Sequence, residues 1–98
     1  MITIPLLEAC VAIGGRSNKE ISPIDYVLGI TQKSKKVKEG TLFVALKGNR
    51  ADGHSFVKEA ENAGAVAAVV EYEVSNINIP QFIVPSTTKA LGHLSRIW

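Results

Sequence analysis

Blocks of apolar and polar residues follow one another along this chain with changing period, and the changes mark its elements. From Leu42 to Leu46 the run is unbroken and apolar, with aromatic and β-branched members, and Lys47-Gly48 stops it. A run this short, bounded by turn residues, reads as a strand. Asn49-Arg50-Ala51-Asp52-Gly53 is turn chemistry. Beyond it Phe56, Ala60 and Ala63, joined by Val57, recur at helical spacing, and Gly64 suits the C-terminal cap of that helix. Ala65 to Val70 is small and apolar throughout, as in a strand covered on both faces. Strand, helix and strand predict a parallel βαβ unit of right-handed crossover.

The flanking segments add shorter elements. Thr3 is placed to cap a helix with Pro5 in its first turn, Leu6, Leu7, Cys10 and Val11 on its apolar face and Gly14-Gly15 at its end. Arg16 to Ser22 is polar and aperiodic, and Pro23 leads into a strand carrying Ile24, Tyr26, Val27, Leu28 and Ile30. Thr31 to Lys36 is a basic loop, and Val37-Lys38-Glu39-Gly40 turns into the central strand. After Val70, Glu71 to Asn78 is a polar connection, Pro80 opens a strand over Gln81–Val84, and Pro85-Ser86-Thr87-Thr88 starts a last helix. Ala90, Leu91, Leu94 and Trp98 form that helix's apolar face, and with neither Gly nor Pro to end it the chain is expected to continue beyond Trp98. The predicted fold is α/β, a small mixed sheet with a βαβ core and about three helices.

Composition narrows the function classes. With 98 residues the chain has material for one domain, spanning residues 1–98, and one modest core. A formal charge of +2, with lysines clustered only at Lys33, Lys35, Lys36 and Lys38 and no aromatic interleaving, points away from nucleic acid. The single cysteine, Cys10, excludes an intrachain disulfide, makes no zinc spacing with the two histidines and reads as a small buried hydrophobe. No apolar run reaches the roughly 18–20 residues of a membrane span, and Met1-Ile2-Thr3 lacks a basic leader, so a cytoplasmic location is expected.

Candidate chemistry is sparse. Lys33-Ser34 is not a phosphate-binding P-loop, because Gln32 and Val27 stand where that pattern needs glycines. Either this is a solvated basic loop, or Ser34 and its lysines face a phosphate. His54 and His93 have no serine, cysteine or carboxylate at a spacing that names a mechanism; they read as a loop-to-helix packing or capping residue and a helix-surface residue. Asp52 reads as a helix cap rather than a base. No catalytic or metal-ligating residue is indicated. In α/β sheets ligands bind beyond the carboxyl ends of strands, so the loop Lys47–Gly53 is the first candidate site.

The run Gly40-Thr41-Leu42-Phe43-Val44-Ala45-Leu46-Lys47-Gly48, followed by Asn49-Arg50-Ala51-Asp52-Gly53-His54-Ser55-Phe56, resembles the signature of the N-terminal domain of the Mur ligases, which build the peptidoglycan stem peptide. Gly64 to Glu71, Ile79 to Val84 and Thr87 to Leu94 keep that family's order and spacing. The resemblance implies an N-terminal, UDP-binding domain that anchors the UDP end of a UDP-N-acetylmuramoyl peptide and carries no catalytic residues of its own. In the full-length enzyme ATP and Mg2+ would bind other domains, which are absent here, as would D-alanyl-D-alanine, so that this fragment alone would be inactive. Ile79 to Leu94 most resembles the branch adding that dipeptide, the branch adding the third stem residue being the alternative. By position, Ser34 matches the hydroxyl residue of the family's D-[ST]-R motif, and Gln32, Ser34, Asn49, Arg50 and Ala51 are the implied UDP contacts. Lys33 and Lys35 replace the motif's aspartate and arginine, which removes one carboxylate and leaves a less fork-like cation. The implied setting is a monomeric ligase of cell-wall biogenesis, cell shape and division. The competing reading is a non-enzymatic α/β binding module of the same fold.

Overall fold

The computed structural model describes residues 3–98. Its strands are β1 (Ile4–Pro5), β2 (Arg16–Ser17), β3 (Tyr26–Val27), β4 (Gly29–Thr31), β5 (Thr41–Val44), β6 (Ala67–Val70) and β7 (Gln81–Ile83), and its helices are α1 (Leu6–Ala12), α2 (Val57–Asn62) and α3 (Thr87–Ile97). Five strands form one sheet in the order β2-β7-β6-β5-β4, and β1 pairs with β3 separately. β4, β5, β6 and β7 run parallel, while β2 lies antiparallel on the β7 edge. The mixed sheet, the βαβ core and the three helices are as predicted.

Every residue of β5 and β6 is buried, and alternation along these strands decides what covers each face. Leu42, Val44, Ala67 and Val69 point to one side, where Leu6, Ala9 and Cys10 of α1 and Ala90 and Leu94 of α3 meet them. Phe43, Ala45, Ala68 and Val70 point to the other, under Val57 and Ala60 of α2, with Val37 and Ile77 from the connections. The sheet is therefore sandwiched between helices. Cys10 is buried, its thiol donating to the Gly15 carbonyl oxygen at 3.3 Å, and burial pushes its pKa up.

Several local expectations are corrected. Thr3 does not cap α1: Ile4–Pro5 is a strand, and the first helical N–H, that of Leu6, donates to the Asp25 carbonyl instead. On α1 the buried stripe is Leu6, Ala9 and Cys10, with Ile13 beyond its end, whereas Leu7 and Val11 are exposed. On α2 it is Val57 and Ala60; Phe56 and Ala63 lie outside it. On both helices the sheet face being covered, rather than the run of apolar residues, sets which side chains turn inward. The strand expected after Pro23 is two strands broken at Leu28, because β3 pairs with β1 and β4 with β5. Arg16–Ser17, expected to be irregular, closes the β7 edge of the sheet.

Other signals match. Gly64, at φ +107°, ends α2 in a backbone conformation that suits glycine. Ser86 caps α3, its hydroxyl oxygen accepting the Lys89 N–H at 3.2 Å. Gln81, fully buried, satisfies itself by a two-point contact with the Val74 backbone, accepting from the N–H at 2.7 Å and donating to the carbonyl at 2.9 Å. Leu94 is the fully buried anchor of α3, so Leu94→Ala is expected to cost about 2–5 kcal/mol; chemical denaturation of wild type and variant measures it.

Candidate functional site

Because β4 to β7 are parallel, the loops leaving them gather at one edge of the sheet. Two carry the residues singled out in the sequence. The segment after β4 forms a 3-10 turn over Ser34–Lys36, and the segment after β5 is a closed loop whose ends pair at Lys47 and Asp52. Gly53 N–H donates to the Leu46 carbonyl at 2.7 Å and Gly48 N–H to that of Ala51 at 2.9 Å. Among the described residues nothing accepts from the N–H of Asn49 or Arg50, and the Asn49 side-chain amide has no partner. Asn49, Arg50 and Ala51 are all exposed.

The second loop is pinned from below by Asp52 and His54. Asp52 caps a 3-10 turn over Gly53–Phe56, its Oδ1 accepting the His54 N–H at 3.0 Å. The His54 ring is buried, and its Nε2 accepts the Glu71 N–H at 2.8 Å. That bond places the ring hydrogen on Nδ1, which lies 2.6 Å from Asp52 Oδ1. Tyr72 stacks on the ring with centroids 4.2 Å apart and donates its hydroxyl to Asp52 Oδ2 at 3.1 Å. Next along the edge, Glu71 Oε2 accepts from Thr87 N–H at 3.0 Å and Thr87 Oγ1 at 3.2 Å. One chain of polar contacts thus ties the loop after β5 to the end of β6 and the first turn of α3. His54 is a packing residue and Asp52 a cap, as the sequence indicated; Tyr72, Glu71 and Thr87 had no sequence signal, being partners across the sheet.

The backbone N–H of His54 and then its ring, helped by the Tyr72 hydroxyl, hold the Asp52 carboxyl at about 2, below its ordinary 3.8. The Thr87 N–H lowers that of Glu71 in the same direction.

Two concavities compete as ligand sites, and charge separates them. The larger, about 530 Å³, lies at the opposite edge of the sheet, where the strands begin, between Tyr26, Leu28 and Ile79. Its charged lining residues are Asp25 and Glu39, with no cation, the wrong sign for a phosphate. A groove of about 350 Å³ at the carboxyl edge is lined by Gln32, Lys33, Ser34, Lys35, Lys36 and Phe56. Among the described residues these lysines make no ion pair, so the groove has cationic character. Gln32 and Ser34 line this groove together, while Asn49, Arg50 and Ala51 belong to the neighbouring loop and do not. Phe56, expected in the core, forms its apolar wall and is 39% exposed. Among the described residues there is no group of three His, Cys, Asp or Glu side chains able to hold a metal ion, and no helix is long and apolar enough to cross a membrane.

Two predictions follow from the pinned loop. A depressed folded-state pKa means that the contribution of Asp52 is fully present above its ordinary value and is lost as pH falls towards about 2. The melting-temperature gap between wild type and Asp52→Asn should therefore be constant near neutrality and close between about pH 4 and pH 2, read from melts across that range. A Cβ on Gly53 would sit 2.6 Å from the Leu46 nitrogen and 2.7 Å from its oxygen. Gly53→Ala should thus cost about 1–3 kcal/mol by overpacking, with faster amide exchange at Gly48.

The sequence and the fold are similar to those of known proteins. A family profile described as Mur ligase family, catalytic domain, matches residues 26–96. The chain is 58% identical over 66 residues to the UDP-N-acetylmuramoyl-L-alanyl-D-glutamate--2,6-diaminopimelate ligase of Aquifex aeolicus, a match covering 67% of this chain and 14% of that protein. It is 40% identical over 96 residues to the UDP-N-acetylmuramoyl-tripeptide--D-alanyl-D-alanine ligase of Escherichia coli, covering 97% of this chain and 20% of that one. The crystal structure of MurF from Acinetobacter baumannii superposes with a TM-score of 0.86 at 31% identity, over 96% of this chain and 20% of that structure. The chain thus spans no more than a fifth of the length of each of these proteins. With the profile matching most of its residues and the fold shared with a solved member, the chain belongs to the Mur ligase family of peptidoglycan-synthesis enzymes.

Proposed function

We propose that residues 1–98 are the N-terminal substrate-anchoring domain of a UDP-N-acetylmuramoyl-tripeptide--D-alanyl-D-alanine ligase, holding the UDP end of the muramoyl peptide at Gln32, Ser34, Asn49, Arg50 and Ala51. The observation that carries the reading is that the loops after adjacent parallel strands β4 and β5 leave the same edge of the sheet, one carrying lysines that make no ion pair among the described residues and the other carrying Arg50 and the uncommitted N–H groups of Asn49 and Arg50. A diphosphate is matched by such cations and donors. A uracil needs one acceptor for its N3–H and donors for its carbonyls, which the Asn49 amide and the backbone around Gly48–Ala51 offer.

In the full-length ligase this anchoring would act at a distance. Contacts to the UDP end do not touch the reacting carboxylate; their binding energy serves to position it in the domain where the peptide bond forms. ATP and Mg2+ would be held by other domains of the ligase. Lys33-Ser34 lacks the glycines of a phosphate loop and no three-ligand cluster is present among the described residues, so this chain's residues do not fit either group. D-alanyl-D-alanine would likewise bind elsewhere, in a cytoplasmic and monomeric enzyme. Similarity to the dipeptide-adding ligase of Escherichia coli along nearly the whole chain, and to MurF in fold, supports that step. The diaminopimelate-adding ligase is the second reading, favoured by the 58% identity over 66 residues.

Titrating UDP into isotope-labelled protein tests the site. Amide shifts are expected at Gln32–Lys36 and Gly48–Ala51; shifts confined to the Asp25 and Glu39 edge, or none at millimolar UDP, would refute it. Ser34→Ala and Asn49→Ala should each weaken binding by about 1 kcal/mol, the net worth of a neutral hydrogen bond.

A further inference from the structure

The Ser34 hydroxyl is already engaged. It donates to Oε1 of Glu59, across a sequence separation of 25 residues. Glu59 stands in the first turn of α2, three residues after Phe56. Val57 and Ala60 face the core, so the Phe56 and Glu59 side of this segment is left towards the 3-10 turn Ser34–Lys36. The groove beside Ser34 has Phe56 as its apolar wall and lysines as its charged walls, and its only hydroxyl is bonded from behind the lining by the carboxylate of Glu59. Among the described residues Glu59 makes no ion pair, and its one side-chain hydrogen bond is to this serine.

A serine hydroxyl has a single hydrogen. While Glu59 accepts it, Ser34 cannot donate to a phosphate, and the carboxylate repels any anion that approaches. We propose that Glu59 is an internal competitor for the anion subsite of this groove, its carboxylate occupying the place of a phosphate oxygen on Ser34 and giving way when a nucleotide diphosphate binds. This rests on the reading that Ser34 faces the diphosphate. Its consequence is selectivity: a free phosphate or pyrophosphate must displace Glu59 unaided, whereas a nucleotide brings base contacts that offset the displacement. Glu59 is a specificity residue that weakens the anionic part of binding and leaves the base part alone.

The test is a substitution expected to improve binding. Pyrophosphate, UDP and uridine are titrated into the full chain carrying Glu59→Gln, which removes the charge, or Glu59→Ala, which also frees the hydroxyl, with amide shifts at Lys33–Lys36 reporting the site. Pyrophosphate and UDP should bind about two- to fivefold more tightly than to wild type, as for one exposed charge pair, and the gain should shrink with added salt. Uridine should bind unchanged. In Ser34→Ala the Glu59 substitutions should lose part of this gain, since the hydroxyl they free is gone. Unchanged or weaker pyrophosphate binding in variants that melt like wild type overturns the proposal. If Glu59→Gln melts lower, the same comparison made with Glu59→Ala and with the Ser34→Ala double variant decides by the same criterion. UDP binding to wild type without any gain in the variants defeats the competitor alone. A pyrophosphate gain without any added contribution from the base keeps the competitor and defeats the nucleotide reading.

Discussion

The parallel pairing of β5 with β6 dictates where the helices and the loops must go. Both strands are buried along their whole length, so each backbone polar group must be paired within the sheet and each face must be covered by apolar side chains. Parallel strands also cannot be joined by a tight turn, and α2 makes the crossover between them while covering one face. The other face is covered from both ends of the sequence, by α1 and α3. With both faces taken, the edges where strands begin and end remain for a ligand, and the carboxyl edge carries the free donors and cations.

That edge is held in shape by polar contacts rather than by packing. His54 uses both ring nitrogens, one towards Asp52 and one towards the Glu71 backbone, and Tyr72 closes the triangle by stacking on the ring and donating to Asp52. The contacts span loops that follow different strands, so they hold the loop after β5 relative to the sheet. Such an arrangement leaves Asn49 and Arg50 at the tip of a supported loop, with their N–H groups uncommitted. A preorganised donor set binds with less ordering cost than a flexible one. Gly53 completes the support from the backbone side, because its missing side chain lets the chain close on Leu46.

The two concavities differ in charge as well as in size. The larger one has more volume but only carboxylates among its charged walls, and the smaller one carries the lysines, the serine and an aromatic face. The carboxylate of Glu59 sits on the serine of this otherwise basic groove. Lys33 and Lys35 stand where the resembled motif has an aspartate and an arginine, and ammonium groups act as point charges that do not offer the two-pronged geometry of a guanidinium.

Elements whose cause is local or strongly periodic are legible in the chain alone. Leu42–Leu46, Ala65–Val70 and Gln81–Val84 are legible as strands because apolar runs between turn residues have few other outcomes, and Gly64 and Ser86 mark helix ends through backbone conformation and capping. The order of the elements then implied the βαβ core, and the segment from Gly40 to Phe56 the family. Features that depend on partners distant in the chain emerge only from packing. Leu7 and Val11 are apolar yet exposed, and Phe56 left the core for a groove, because helix rotation follows the sheet face being covered rather than the first apolar residue. Pro5 and Arg16 became strand residues only because Tyr26 and Ile83 lie beside them. Likewise Gln32 and Ser34 share a groove while Asn49 to Ala51 stand on the next loop, and the bond from Ser34 to Glu59 joins residues no periodicity relates. Local pattern sets which segments are strands and helices; which side chains meet at the sheet's edge is set by how those segments pack.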